Sequence, residues 1–203
     1  MNSPPESKRE PVVLVHGIWN TARVFGKFSR RLEQAGFEVH AWNATPSNGS
    51  ASLGKLAEQL AERIDSALGQ KRPFSLVGFS MGGMVSRIYL QRLHGARRVQ
   101  KFVSIAAPHH GTFWARFSKK PGIAEMRSDS ELLTELNRDL IELATLPCLS
   151  LYTPYDLMIL PARSSELGLG QVRKVSVALH QLMLNDRRVA RATVEFLKGE
   201  GSD

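Results

Sequence analysis

Short apolar runs, each closed by glycine or a polar loop and followed by a helix-length amphipathic stretch, recur along this chain and leave it few architectures. "PVVLVHG" (11–17) is a β-branched run stopped by glycine, the pattern of a strand buried on both faces. In the following "ARVFGKFSRRLEQAG", Val24, Phe25, Phe28 and Leu32 recur at helical spacing, with Thr21 as the candidate cap and Gly36 at the end. "FEVHAW" (37–42) alternates as a strand, and Leu53, Leu56, Leu60, Ile64 and Leu68 form one helical stripe. "FSLVGF" then runs into a helix carrying Met84, Val85, Ile88 and Tyr89. After "VQKFVSIAAP" (99–108), Ser128 and Glu131 make a capping-box pair ahead of a helix over "LLTELNRDLIEL". "CLSLY" (148–152) and "VRKVSV" (172–177) are the last strands, and Asn185 or Asp186 caps a terminal helix, "RRVARATVEFL". This alternation predicts an α/β fold, a mainly parallel central sheet of about six strands with helices on both faces.

A length of 203 residues suits one domain. It is expected over 11–198, between a flexible N-terminal segment (1–10) and a flexible tail (199–203). No apolar stretch approaches the roughly 20 residues of a bilayer span, so no stable membrane insertion is expected. "MNSPPESKREP" lacks the apolar centre of a secretory signal, which, if Met1 is the natural start, predicts a cytoplasmic protein. The formal charge of +8 is scattered in short pairs such as Arg30–Arg31 and Lys119–Lys120. Without a basic arm or an aromatic RNA-binding signature, it predicts solvated helix faces and no nucleic-acid partner. Cys148 is the only cysteine, which rules out an internal disulfide and reads as a buried strand residue.

Chemistry enters at "GFSMGG". Gly78-Phe79-Ser80-Met81-Gly82 fits G-x-S-x-G, a string that chains of this length show by chance on the order of once in fifteen. Its position between a buried strand and an amphipathic helix is far more specific. There the motif forms a strained elbow that projects the serine hydroxyl from the carboxyl edge of the sheet. A serine hydroxyl needs a base, and the base a carboxylate to orient it. Of the six histidines, His16, His40 and His94 read as a strand end, a strand residue and an exposed helix end. On this architecture the acid and then the histidine follow the serine, each beyond a strand end. Asp156, just after "CLSLYTPY", and His180, three residues after "VSV", satisfy that order. The backbone amides of Met81 and of Ile18, in "VHGIWN", are placed to hold an oxyanion. Nothing near His16 supplies further ligands for a metal, and the chemistry needs no metal or organic cofactor.

"VLVHGIW", "LVGFSMGG", "VSIAAPHHGT", "YTPYDLMILP" and the late "LH" together resemble the small bacterial triacylglycerol lipases and esterases of the α/β-hydrolase superfamily, over residues 11 to 196. The resemblance implies an α/β-hydrolase fold, a minimal one without a cap domain because residues 113–130, the only insertion near the site, are too few for one. It also implies a serine carboxylic ester hydrolase with Ser80 as nucleophile, Asp156 as acid, His180 as base and Ile18 and Met81 as oxyanion amides. His109 and His110 would then lie near the substrate but outside the triad. Phe79 stands where such lipases commonly carry histidine. Trp19, Phe113, Trp114 and the run from Leu157 to Leu160 are candidates to line an acyl cleft, and residues 113–130 are the only stretch able to cover it. The expected substrate is a small-molecule or lipid ester with a short to medium acyl chain, handled by a monomer or weak homo-oligomer. An acyltransferase or thioesterase with the same triad is the alternative, and a non-catalytic binding member of the fold is a third reading.

Overall fold

The computed structural model describes residues 9–200. Six strands, β1 (Pro11–Val15), β2 (Glu38–Trp42), β3 (Phe74–Phe79), β4 (Val99–Ile105), β5 (Cys148–Tyr152) and β6 (Gln171–Lys174), form one sheet in the order β2-β1-β3-β4-β5-β6. Every pairing is parallel. The helices are α1 (Gly26–Gln34), α2 (Leu53–Leu68), α3 (Met81–Arg92), α4 (Pro121–Ala124), α5 (Glu131–Arg138), α6 (Ile141–Ala144) and α7 (Arg187–Lys198).

Strand periodicity distributes the core. Val12 and Leu14 of β1 pack with Phe28 and Leu32 of α1 and Val189 and Phe196 of α7 on one face. Val13 and Val15 pack with α2, α3 and α5 on the other. Burial on both sides explains why β1 and β3 read as continuous apolar runs rather than alternating ones. The predicted stripe of α2 is buried as expected, and Ser52 caps the helix by accepting from the Lys55 amide at 3.2 Å.

Three local expectations are corrected. Thr21 makes no side-chain cap; the Ala22 amide is taken by Asn43 Oδ1 at 2.6 Å, and a 3-10 turn (Ala22–Phe25) precedes α1. Ser130, not Ser128, caps α5, accepting from the Leu133 amide at 3.2 Å. The helix expected over "LLTELNRDLIEL" ends at Arg138, with α6 a separate turn. The Asp139 side chain accepts from the Ile141 amide at 3.3 Å and offers the backbone an alternative to continuing.

At the chain ends, the Glu10 carboxylate accepts from Ser75 Oγ at 2.6 Å. Gly199, at φ 77°, closes α7 with its amide bonded to the Phe196 carbonyl. The rest of the two ends expected to be flexible, 1–8 and 201–203, lies outside the described residues. Among the described residues there is no cap domain, and no helix is long and apolar enough to cross a membrane.

Candidate active site

Because β1 pairs with β2 on one side and β3 on the other, the chain reverses its winding at β1/β3, where α/β sheets open a crevice beyond the carboxyl ends. Val15 is in register with Gly78, so the loop after β1 faces the turn after β3. At that turn Ser80 has φ 55° and ψ −126°, a conformation that non-glycine residues rarely adopt. Trp19 and Ala106, beyond the ends of β1 and β4, also have positive φ. Three of the four such non-glycine residues among the described ones thus ring one crevice, a clustering typical of functional sites.

The glycines make the elbow possible. A Cβ on Gly82 would stand 2.2 Å from the Val15 carbonyl oxygen, and one on Gly17 would stand 2.8 Å from Ser80 Cβ. The β1 loop therefore presses directly on the serine. Neither the Ile18 nor the Met81 amide donates to a protein acceptor among the described residues, so both remain open to an oxyanion.

The predicted acid and base meet. His180 Nδ1 lies 2.7 Å from Asp156 Oδ2, and both side chains are buried. Asp156 Oδ1 accepts from the Met158 and Ile159 amides, each at 2.9 Å, which fixes the carboxylate. The imidazole rests against the Phe79 ring, 4.9 Å between centroids, one residue before Ser80. No hydrogen bond joins Ser80 Oγ to His180 among the described residues.

Ser80 opens into a cleft of about 280 Å³ whose walls include Ile18, Trp19, Trp114, Ile123, Met126 and Ile159. Lys120, also in the wall, is the only charged lining residue among the described ones. Trp19 and Trp114 occupy the expected positions, as do Met158 and Ile159 from the run 157–160. Phe113 and Leu157 are exposed beside the cleft rather than in it.

The histidine pair departs from expectation. His109 is fully buried, with Nε2 bonded to Ser104 Oγ at 2.6 Å, and does not reach the cleft. Burial, reinforced by Arg87 and His110, holds its pKa well below the usual histidine value, which makes it a neutral core residue. The His110 ring stands 3.4 Å from the Asn137 amide, also away from the lining. His16 is internal too: Nδ1 lies 2.8 Å from the Gly17 carbonyl and Nε2 accepts from the Ala44 amide at 3.0 Å, so it braces the β1 loop.

Two threonines escaped the sequence reading. Thr153 Oγ1 donates to the Val177 carbonyl at 2.6 Å and ties the Asp156 loop to the segment leading to His180. Thr112 Oγ1 donates to the Met158 carbonyl at 2.8 Å and accepts from the Leu160 amide at 3.1 Å, binding 106–113 to the Asp156 loop. The sequence signal for Thr153 is a hydroxyl immediately beyond the end of β5; Thr112, seven residues past the end of β4, has none. Among the described residues no group of three or more His, Cys, Asp or Glu side chains could hold a metal ion.

A parallel six-stranded sheet with helices on both faces, and a strained serine turn at its switch point, define an α/β-hydrolase. The chain belongs to the palmitoyl protein thioesterase family, whose profile matches residues 11–146. It is 24% identical over 122 residues to palmitoyl-protein thioesterase 3 of Dictyostelium discoideum, covering 58% of this chain and 42% of that protein. It is 28% identical over 112 residues to the lysosomal thioesterase PPT2 homolog of Drosophila melanogaster, covering 53% and 38% respectively. The chain thus matches only about two fifths of the length of these relatives. In fold it is similar to lipase B of Aspergillus fumigatus, with a TM-score of 0.79 at 19% identity over 97% of this chain and 54% of that one. The α/β-hydrolase part of the sequence resemblance therefore holds, while the matching family is a thioesterase one.

Proposed function

We propose that this protein hydrolyses acyl esters and thioesters through an acyl-Ser80 intermediate. The observation that carries the reading is the buried Asp156–His180 pair set beside a strained serine at the head of an apolar cleft. Ser80 Oγ attacks the acyl carbonyl carbon while His180 Nε2 takes the hydroxyl proton, and Asp156 keeps Nδ1 protonated and the ring oriented. The Ile18 and Met81 amides hold the tetrahedral oxyanion, each such donor typically contributing about 3 kcal/mol to the transition state. Collapse breaks the bond from carbonyl carbon to oxygen or sulfur, and His180 returns its proton to the leaving group. A water deprotonated by His180 then attacks the acyl-enzyme and releases the carboxylic acid.

Family membership favours a sulfur leaving group. The cleft, at about 280 Å³, lies just below the roughly 300–1,000 Å³ usual for ligand pockets, which favours short to medium acyl chains. The test is a series of matched oxygen esters and thioesters, from butyryl to palmitoyl, assayed with wild type and Ser80→Ala. The expected result is a maximum at medium chains, higher kcat/KM for thioesters, and loss of at least about a thousandfold in Ser80→Ala. Equal rates in wild type and variant would refute the assignment.

A further inference from the structure

Since all six strands are parallel, every loop that follows a strand emerges on one edge of the molecule, and that edge is apolar. Of the eleven large hydrophobic side chains exposed among the described residues, only Leu93, Ile141 and Val172 lie elsewhere. The other eight lie in the segments after β1, β4, β5 and β6; Trp19, Trp114 and Phe117 line the cleft itself, and Phe113 and Leu157 contact them. Their exposure is substantial: Trp19 64%, Phe117 70% and Leu157 66%. Phe113, Trp114 and Phe117 form a packed aromatic plate with centroids 5.4–6.2 Å apart. The Trp114 indole is anchored to the Leu157 carbonyl at 2.7 Å while half of it faces solvent.

Cations border this plate. Arg116 lies over the Phe113 ring at 4.6 Å, and Lys119 and Lys120 follow, both exposed. None of the three is in an ion pair among the described residues. Of the two carboxylates on this segment, Glu125 is turned inward to the Leu53 amide and Asp129 is exposed. Half-exposed tryptophan and phenylalanine beside unpaired lysine and arginine are the composition of a membrane-interface anchor. The rings settle at headgroup depth, and the cations meet an anionic surface. The cleft opens on the same rim, since Trp19, Trp114, Phe117 and Lys120 also line it.

We infer that this edge docks on an anionic phospholipid bilayer, with the aromatic plate in the interface and Arg116, Lys119 and Lys120 against lipid phosphates. Acyl chains then enter the cleft from the membrane side. A neutral apolar partner would leave those three cations desolvated without counter-charges.

The test uses the full chain carrying Ser80→Ala, so that it reads docking whether or not the protein hydrolyses esters. Co-sedimentation is compared on vesicles of phosphatidylcholine alone and of phosphatidylcholine mixed with phosphatidylglycerol. Binding at least roughly tenfold tighter to the anionic vesicles is expected. Lys119→Glu should weaken it roughly fivefold or more, as a basic side chain near such a surface contributes about that factor. Phe117→Ser should weaken it roughly tenfold, whereas Ile141→Ser, away from the cleft edge, should leave it unchanged. In a Trp19→Phe background, lipids brominated near the headgroup should quench Trp114 fluorescence, while buried Trp42 supplies the constant remainder. Lack of binding to either vesicle, equal binding to both, or anionic binding without Trp114 quenching would each overturn the proposal. So would dimerisation that Phe117→Ser abolishes while vesicles are ignored, which would give the rim to a second copy of the chain.

Discussion

Ser80 is held in a conformation that costs a non-glycine residue on the order of 1–3 kcal/mol, and the surrounding contacts over-determine it. Its amide donates to the Ile105 carbonyl at 2.8 Å and its carbonyl accepts from the Gly83 amide at 2.9 Å, so the hydroxyl alone is left for chemistry. Asp156 and His180 are fixed with equal economy. If the three side chains act as a unit, His180→Ala and Ser80→Ala each cost several orders of magnitude in kcat, and the double variant costs little more. Additive losses in steady-state kinetics would separate the two residues. The buried histidines outside this group have a different consequence. Burial lowers the pKa of both His16 and His109, against the Gly17 hydrogen bond in the former case. In the unfolded chain they take up protons near the ordinary value of about 6.5. Below that pH the unfolded state binds more protons than the folded one, so stability is full above it and is lost as pH falls. The melting temperature should therefore drop on going from neutral pH to pH ~5. His109→Gln should flatten that slope even if it lowers the midpoint, and an unchanged slope would show that His109 titrates normally.

The elbow is a product of two elements meeting at glycine. The N-terminus of α3 packs against the end of β1 so tightly that a Cβ on Gly82 would stand 2.2 Å from one backbone oxygen and 2.5 Å from another, neither of which can yield as a side chain does. Gly82→Ala should destabilise by at least about 1–3 kcal/mol in urea titration. Gly26, by contrast, has φ −50° and nothing within 4 Å of where a Cβ would stand, so Gly26→Ala should be neutral or stabilise by about 0.4–1 kcal/mol. The strands were legible in sequence because burial on both faces writes an uninterrupted apolar run. α2 was legible because one face is buried along its whole length. The caps were not. Ser128 and Ser130 both suit a helix start, and what selects Ser130 is the burial of Leu133 and Leu136 against α3, a tertiary contact invisible in local sequence. His109 and His110 were likewise indistinguishable as neighbouring residues. The backbone turn sends one ring to Ser104 in the core and the other to Asn137 at the surface. That Asp156 and His180 would meet could be read from chain order and strand ends, whereas the Thr112 and Thr153 bonds that hold their loops depend on which loops become neighbours.

In the molecule as a whole, the parallel sheet gathers the strained serine, the carboxylate–imidazole pair, the cleft and the apolar rim on one edge, while helices seal both faces of the core. Segment 113–130, the only stretch that the sequence offered to cover the cleft, places Trp114, Phe117, Ile123 and Met126 in the cleft wall and turns Lys119 outward. One segment is thus divided between the cleft wall and the exposed surface. On the proposed function, Ser80 is the acylated nucleophile, activated by the Asp156–His180 pair. Intact-protein mass spectrometry after treatment with an alkyl fluorophosphonate tests it most directly. A single phosphonyl adduct is expected on wild type, mapped to the peptide containing Ser80, absent from Ser80→Ala and strongly slowed in His180→Ala. An unlabelled wild type, or an adduct that persists in Ser80→Ala, would contradict it.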